Sequence, residues 1–452
     1  MAKEEKGKFT GKLGYVLATA GSAVGLGNLW RFPYLTAKYG GGAFLFTYLI
    51  LVIIFGFGLV LAETAIGRKT GKSSILAFGA LSPKHAWIGI IPAIVPVLIL
   101  PYYSVVGGWV VKYLFGFLSG DAAAMTQNGY FGGYVSQSME PLVFFFIFFS
   151  LTTVIVLGGV EKGIERMSKI LMPVLVLLTL LIVIYGLSQP GAIEGVKYFI
   201  LPNFSEFNAK TVLAAMGQMF YSLSISMTIL ITYGSYMAKD IPMDTSVLQV
   251  ELFDTGIAIL SGLMIIPAVF VFANGDLSNL HAGPSLMFVT LPKVFASMKG
   301  GAFVGIVFFI LTLFAALTSS VSLLESVTSI FMDKWNLTRK KSIAIILIFS
   351  IIVGSLSSLG FGALSTVHIL SLSIFDFLDT ITNSVMMPVA ALLTCYFVSR
   401  VIGCDTISDE VKISSPFKME KLFIFTITYV APLCIIIVLV SSILQTVGIL
   451  SV

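Results

Sequence analysis

The stretch GSAVGLGN, residues 21–28, sets three glycines and an Asn inside an apolar run, with Arg31 close behind. In hydrocarbon an unpaired peptide group costs several kcal/mol, so a helix that breaks there must have its freed groups satisfied by something else. Carbonyls freed around Gly21, Ala23 and Val24 suit a dehydrated hard cation. The amides of Leu26 and Gly27 stand at the positive end of the half-helix that follows and suit an anion. Glycine at 25 and 27 lets backbone come close to a ligand, and Asn28 adds a neutral oxygen. Such a break takes up a carboxylate and a cation together. The same residues also spell G-x-x-x-G, a helix-packing pattern; Asn28, Arg31 and a second break tip the balance towards a site.

That second break is GQMFYSLSISMT, residues 217–228, with three serines and a Thr among apolar residues. A third polar patch, FAALTSSVSLLE at 314–325, offers the hydroxyls of Thr318 and Ser319 and the carbonyl of Ala315 one turn before. With the freed carbonyls of the first break these make a five-oxygen cage; Ser and Thr in membrane helices also commonly bond their own i−4 carbonyl. Ionisable residues inside apolar runs are functional candidates by default. Here they are Glu63, Asp254, Glu325, Asp376 and Asp379, with internal hydrogen bonding the preferred reading for Glu63 and Glu325. Asp376 and Asp379 share a helix face, and either can pair with Arg31. Lys6 and Asp333 offer a second pair at the opposite end.

These residues need elements to hold them, and the composition says which. Of 452 residues 57% are apolar and 11% charged, with mean hydropathy +1.00. Soluble domains carry about 25% charged residues, so the chain is a polytopic membrane protein. Apolar runs lie near 13–36, 42–67, 87–118, 141–158, 168–188, 211–237, 248–273, 301–332, 342–360, 366–399 and 422–449, eleven predicted spans. With the N-terminus inside, 20 of the 27 Lys and Arg fall on the inner side, a positive-inside bias. The net charge of +5 is thus membrane-flanking charge and no nucleic-acid footprint. Three cysteines and three scattered histidines suggest neither a disulfide framework nor a metal cluster. The interrupted runs are the first and the sixth, corresponding positions of two five-span halves. An odd span count inverts one half against the other, and matched breaks mark a secondary transporter's site. The stretch 274–300 is apolar enough to fold back as an outer lid, or to be an ordered loop.

The motifs GSAVGLGNLWRFPY, YGGGAF, AETAIGR, GQMFYSLSISM, FAALTSS and FDFLD, spread over nearly the whole chain, resemble the neurotransmitter:sodium symporter family in its bacterial amino-acid branch. The resemblance implies an all-α LeuT-type fold: a 5+5 inverted repeat plus one helix, with helices 1 and 6 unwound mid-membrane. It divides the chain into a cytoplasmic tail (1–12), a first repeat (13–188), an extracellular loop (189–210), a second repeat (211–399) carrying the lid loop 274–300, a cytoplasmic loop (400–421) and helix 11 with the C-terminus (422–452). It also implies two Na+ sites and no organic cofactor. Site one takes the Ala23 carbonyl, Asn28, Ser222, Asp254 and the substrate carboxylate. Site two takes the carbonyls of Gly21, Val24 and Ala315 and the hydroxyls of Thr318 and Ser319. The substrate carboxylate meets Leu26, Gly27 and Tyr103, and its ammonium meets Ala23, Tyr221, Ser222 and Ser224. Ile99, Tyr221, Met227, Ser319 and Leu323 line the side-chain pocket. Tyr103 over Tyr221, then Arg31 with Asp376, form the outer gate; Lys6 with Asp333, near Phe9 and Tyr236, form the inner one.

Three residues depart from the family pattern. Met227 stands where many relatives carry Phe, Ser226 where they often carry Gly, and Asp254 where they often carry Asn. A fixed charge at 254 sits where animal relatives recruit chloride. The expected function is therefore Na+-coupled, chloride-independent import of hydrophobic or aromatic L-amino acids, by a multi-pass protein of the cell (inner) membrane. Its partners are a small-molecule substrate and the bilayer, not nucleic acid. The sequence does not fix the oligomeric state, for which a monomer is the working expectation. Alternatives are an amino-acid-binding sensor or an uncoupled facilitator; dispersed carboxylates and the lack of a nucleophile–His pair argue against an enzyme.

Overall fold

The computed structural model describes residues 7–205, 207–273 and 283–446. Lys6, assigned to the inner gate, lies outside the described residues, as do residues 274–282 of the lid stretch. Among the described residues the fold is all-helical, with only two isolated β-bridges. Nine helical segments are continuous and apolar enough to cross a bilayer: α3 (Gly42–Thr70), α4 (Pro83–Ser119), α5 (Glu140–Leu157), α6 (Val160–Leu187), α9 (Met243–Phe272), α10 (Gly301–Trp335), α11 (Arg339–Leu359), α12 (Ile374–Ile402) and α13 (Glu420–Gln445). The first and sixth predicted spans are absent from this set because each is cut in two. The first is α1 (Lys12–Ala23) and α2 (Phe32–Lys38), joined through a wide turn at Gly27–Arg31. The sixth is α7 (Ala209–Ser222) and α8 (Ile229–Ser235). Nine continuous and two divided segments account for the eleven apolar runs.

Each break has a local cause. Val24 leaves the helix in an extended conformation (φ −68°, ψ 107°). The Gly25 N–H turns to Asn28 Oδ1 at 3.0 Å, so the side chain takes a bond that a helix would have made within the backbone. In the second break Ser224, Ser226 and Thr228 all adopt left-handed φ (53°, 63° and 67°), at a cost of about 1–2 kcal/mol each for non-glycine residues. Their side chains offset it. Ser226 donates through N–H and hydroxyl to Glu63 Oε1 (3.0 and 3.3 Å). Thr228 donates to the Pro92 carbonyl at 2.7 Å, and Ser224 to the Ser22 carbonyl at 3.2 Å. A run that is Ser- and Thr-rich for a membrane span thus builds its own turn.

The broken segments sit in a scaffold of long helices. α10 packs on α4 and on α1, and α8 packs on α3. Gly67 and Gly234 make the last contact tight: a Cβ on Gly67 would lie 1.9 Å from the Ile231 carbonyl. The tenth apolar run proves shorter than its hydropathy suggested. Residues 366–373 form turns and a bridge, and helix begins at Ile374. The 400–421 loop contains a helix, Cys404–Lys412, whose Glu410 holds the buried Arg68 guanidinium at 2.9 Å. Within the lid stretch Leu286–Ser297 is a short apolar helix, its Phe288 packed on Trp109, Tyr113 and Phe131.

Candidate substrate and cation site

The two breaks face one cavity of about 40 Å³, and every residue named above for substrate contact lines it: Ala23, Leu26 and Gly27 of the first break, Ile99 and Tyr103 of α4, Tyr221, Ser222, Ser224 and Met227 of the second, Ser319 and Leu323 of α10. Ser22 and Ile229 line it too and were not singled out from sequence, although Ser22 lies inside the first quoted motif and Ile229 directly follows the second. Backbone approach is as close as the glycines suggested. A Cβ on Gly25 would stand 2.8 Å from Ser319 Oγ, and one on Gly27 would stand 2.8 Å from the Tyr221 ring. The Tyr103 hydroxyl is buried beside this wall and has no hydrogen-bond partner among the described residues, so a ligand oxygen there would satisfy it.

On one side of the cavity Asn28, Ser222 and Asp254 form a buried cluster. Asn28 Nδ2 donates to Asp254 Oδ1 at 2.8 Å, to the Asp254 carbonyl at 3.3 Å and to Ser222 Oγ at 3.3 Å. Ser222 Oγ donates to Asp254 Oδ2 at 2.8 Å. Asn28 and Asp254 have no exposed surface. A buried carboxylate held only by neutral donors is an incomplete arrangement, and a cation would complete it. Tyr48 and Glu251 adjoin this cluster and, like Gln218, were not picked out from sequence. Gln218 donates to the Gly27 carbonyl at 3.4 Å, tying the two breaks.

On the other side, Gly21 lies against Thr318, whose Cβ would be 3.2 Å from an added methyl. Ser319 Oγ donates to the carbonyls of Ser22 (3.1 Å) and Val24 (3.3 Å). Thr318 Oγ1 donates to Ala315 and Phe314 carbonyls at 3.0 and 3.1 Å, the own-helix bonding weighed above. The contacts across α1 and α10 are thus the Ser319 hydroxyl on the Ser22 and Val24 carbonyls and Gly21 packed on Thr318, while Thr318 is turned to the Ala315 carbonyl of its own helix. Among the described residues no group of three or more His, Cys, Asp or Glu could hold a metal ion. Neutral oxygens with a single carboxylate suit a hard monovalent cation better than a transition metal.

Above the cavity lies a second space of about 310 Å³, and Leu26, Tyr103 and Tyr221 line both, so they form the partition. Arg31 lies over the Tyr221 ring at 5.0 Å. Of the two acids that could pair with Arg31, Asp379 lines this space with it and Asp376 does not. Asp376 instead stands in the first turn of its helix, bound to the N-cap Ser373: it accepts from Ser373 Oγ at 2.7 Å while its N–H donates back at 3.1 Å. Asp379 is held by Asn383 Nδ2 at 2.7 Å. The two acids do lie on neighbouring turns, but only one turn points inward.

The face that carries the N-terminal segment is shut. Phe9 is buried, its ring edge-on to Tyr15, Tyr233 and Tyr236 at 5.9, 5.5 and 6.2 Å, and its N–H donates to the Tyr236 carbonyl at 3.1 Å. Thr10 N–H donates to Glu165 at 2.9 Å. Glu325 accepts from Tyr236 at 2.7 Å and pairs with Arg339 at 2.5 Å, the internally bonded role expected of it. Asp333 accepts from the Ser73 N–H at 2.6 Å.

With this geometry in view, comparison is informative. The chain matches the sodium:neurotransmitter symporter family over residues 6–129 and 136–449. It is 34% identical to an uncharacterized sodium-dependent transporter of Bacillus subtilis over 100% of both chains. A similar protein of Haemophilus influenzae is 31% identical over 97% of this chain and 98% of its own. The fold matches the crystal structure of MhsT in complex with L-phenylalanine with a TM-score of 0.86 and 37% identity, covering 97% of this chain and 100% of that one. Two broken helices meeting at a shared buried cavity inside a LeuT-type scaffold are the architecture of a transporter rather than an enzyme, and the chain belongs to the sodium:neurotransmitter symporter family.

Proposed function

We propose that this sodium-dependent symporter imports hydrophobic or aromatic L-amino acids with two Na+ ions and without chloride. The observation that carries the reading is the meeting of both helix breaks at one cavity, with a carboxylate cluster on one flank and neutral oxygens on the other. In this reading Na+ site one is the Ala23 carbonyl, Asn28, Ser222, Asp254 and the substrate carboxylate. Site two is Gly21, Val24, Ala315, Thr318 and Ser319. Leu26 and Gly27 amides and the Tyr103 hydroxyl take the substrate carboxylate, while carbonyls at Ala23, Tyr221, Ser222 and Ser224 take its ammonium. Ile99, Met227 and Leu323 give the side chain an apolar bed, and Met227 adapts to more than one shape. MhsT carries L-phenylalanine in its crystal structure, which supports this substrate class.

The N-terminal face is read as cytoplasmic, from the positive-inside bias, in a cell-membrane monomer with repeats at 13–188 and 211–399. The sealed Phe9 side and the space above Tyr103 and Tyr221 then describe a protein open towards the outside. Closing the outer gate, Arg31 moving from the Tyr221 ring to Asp379, precedes release of Phe9 and the swing of α1. The negative charge of Asp254 takes the place of chloride beside the cation. Energetically, one charge moved through ~100 mV yields about 2.3 kcal/mol and a tenfold gradient about 1.4 kcal/mol, so two Na+ supply roughly 7 kcal/mol, or about five decades of accumulation.

Proteoliposome uptake of labelled amino acids tests this reading. Accumulation that requires an inward Na+ gradient and persists in gluconate is expected. Binding without uptake would make the protein a sensor, and uptake that only equilibrates would make it a facilitator.

A further inference from the structure

A groove of about 590 Å³ runs between α1 and α9 at the N-terminal face, apart from the two spaces of the transport pathway. Lys12, the first residue of α1, and Gln249 are its polar lining, and Val16, Leu17, Leu252 and Phe253 continue it along the two helices as apolar lining. Leu13 and Leu252, on its two rims, are 62% and 71% exposed, so the groove opens sideways to lipid. Lys12 reaches the Thr245 hydroxyl at 3.2 Å across the mouth, and among the described residues no carboxylate lies within ion-pair distance of it. A cation at the interface above an apolar slot is complementary to one chemical class, a molecule with an anionic head and a long hydrocarbon tail.

We propose that this groove holds an anionic phospholipid of the cytoplasmic leaflet, its phosphate on Lys12 and one acyl chain along Val16, Leu17, Leu252 and Phe253. The leaflet assignment rests on the orientation proposed above. A chain moving from bilayer to groove exchanges one apolar surrounding for another, so the head group decides selectivity. A single basic residue at an anionic surface favours the charged lipid by roughly fivefold. The consequence reaches the transport cycle, because α1 ends at Gly21, Ala23 and Val24. A lipid wedged between α1 and α9 ties the cation-site backbone to α9 and favours the sealed N-terminal face.

Native mass spectrometry of the full-length protein in detergent, titrated with phosphatidylglycerol or phosphatidylcholine of identical chains, tests this directly. Wild type is expected to retain about fivefold more phosphatidylglycerol, the preference set by one basic residue. Lys12→Arg keeps that preference, Lys12→Gln abolishes it, and Leu252→Trp, which fills the groove, reduces retention of both lipids. Lys341→Gln, a basic residue elsewhere, leaves it unchanged. Equal retention of the two lipids by wild type, no effect of Lys12→Gln, or the same loss from Lys341→Gln overturns the proposal. Uptake is a separate readout, so failure here leaves the transport reading standing, and failure of uptake leaves the lipid site standing.

Discussion

Asn28 and Asp254, 226 residues apart in the chain, meet at 2.8 Å with neither exposed to solvent. Asn28 also fixes the first break by accepting the Gly25 N–H, so one side chain both shapes the unwound turn and orients the only acid of the cluster it forms with Ser222. If that acid supplies the charge which chloride supplies elsewhere, Asp254→Asn removes it without changing shape. Uptake in chloride-free buffer is then expected to fall by about tenfold or more, the effect of roughly 1.4 kcal/mol, and chloride is expected to restore part of it. Equal uptake by variant and wild type in both buffers would count against the assignment.

The second break depends on Glu63. Glu63→Ala leaves the Ser226 N–H without its acceptor in a buried turn, a loss of about 1–3 kcal/mol. A lower melting temperature with unchanged lipid and detergent is the expected result. Ser226→Gly relieves the left-handed strain but forfeits the hydroxyl bond, so its melting temperature should lie close to wild type. A Glu63→Ala protein as stable as wild type would show that the turn is held elsewhere.

Gly27 has no room for a methyl, since a Cβ there meets the Tyr221 ring at 2.8 Å. Overpacking of this kind costs about 1–3 kcal/mol. Gly27→Ala is expected to weaken Na+-dependent substrate binding by about tenfold or more while the protein still folds, measured by scintillation proximity. Unaltered affinity would mean that Tyr221 yields freely.

The two outer acids can be told apart by exchanges that remove the charge and keep the shape. Asp379→Asn should slow uptake sharply, because Asp379 shares the outer space with Arg31, whereas Asp376→Asn should leave it near wild type and cost only the favourable charge in the first helical turn, about 0.3–1 kcal/mol. The reverse ranking would return the gate to Asp376.

Pocket shape gives a fifth handle. Met227→Phe replaces a flexible side chain by a rigid ring in a space of about 40 Å³. Competition by the largest aromatic amino acids should weaken more than competition by leucine, by about 10-fold for a mismatch of one or two methylenes. A uniform change across substrates would place Met227 outside the specificity wall.

What the sequence made legible follows from how each feature is encoded. The breaks were visible because glycine, serine and asparagine are conspicuous against a uniformly apolar background, and they appear where residues 21–28 and 217–228 suggested. The residues at the cavity came from motif resemblance, and the structure brings all of them to one wall. Asp376 against Asp379 could not be decided, because both lie on one face and only the start of helix at Ile374 sets which turn points inward. Hydropathy alone extended the tenth run into the turn at 366–373, since apolar residues there serve a loop. Glu251 was legible as an acid inside an apolar run, one turn before Asp254 on the same helix, and was passed over; Tyr48 carried no local signal, because its closeness to Asp254 exists only in the packed helices. The groove beside Lys12 was likewise invisible, being a gap between two helices distant in sequence.

The most direct measurement of the central claim is the reversal potential of substrate-coupled current in proteoliposomes, read against imposed Na+ and L-phenylalanine gradients. Two Na+ per substrate, with Asp254→Asn and Thr318→Ala each losing coupling, is the predicted result. Substrate movement whose reversal is indifferent to Na+ would contradict the account.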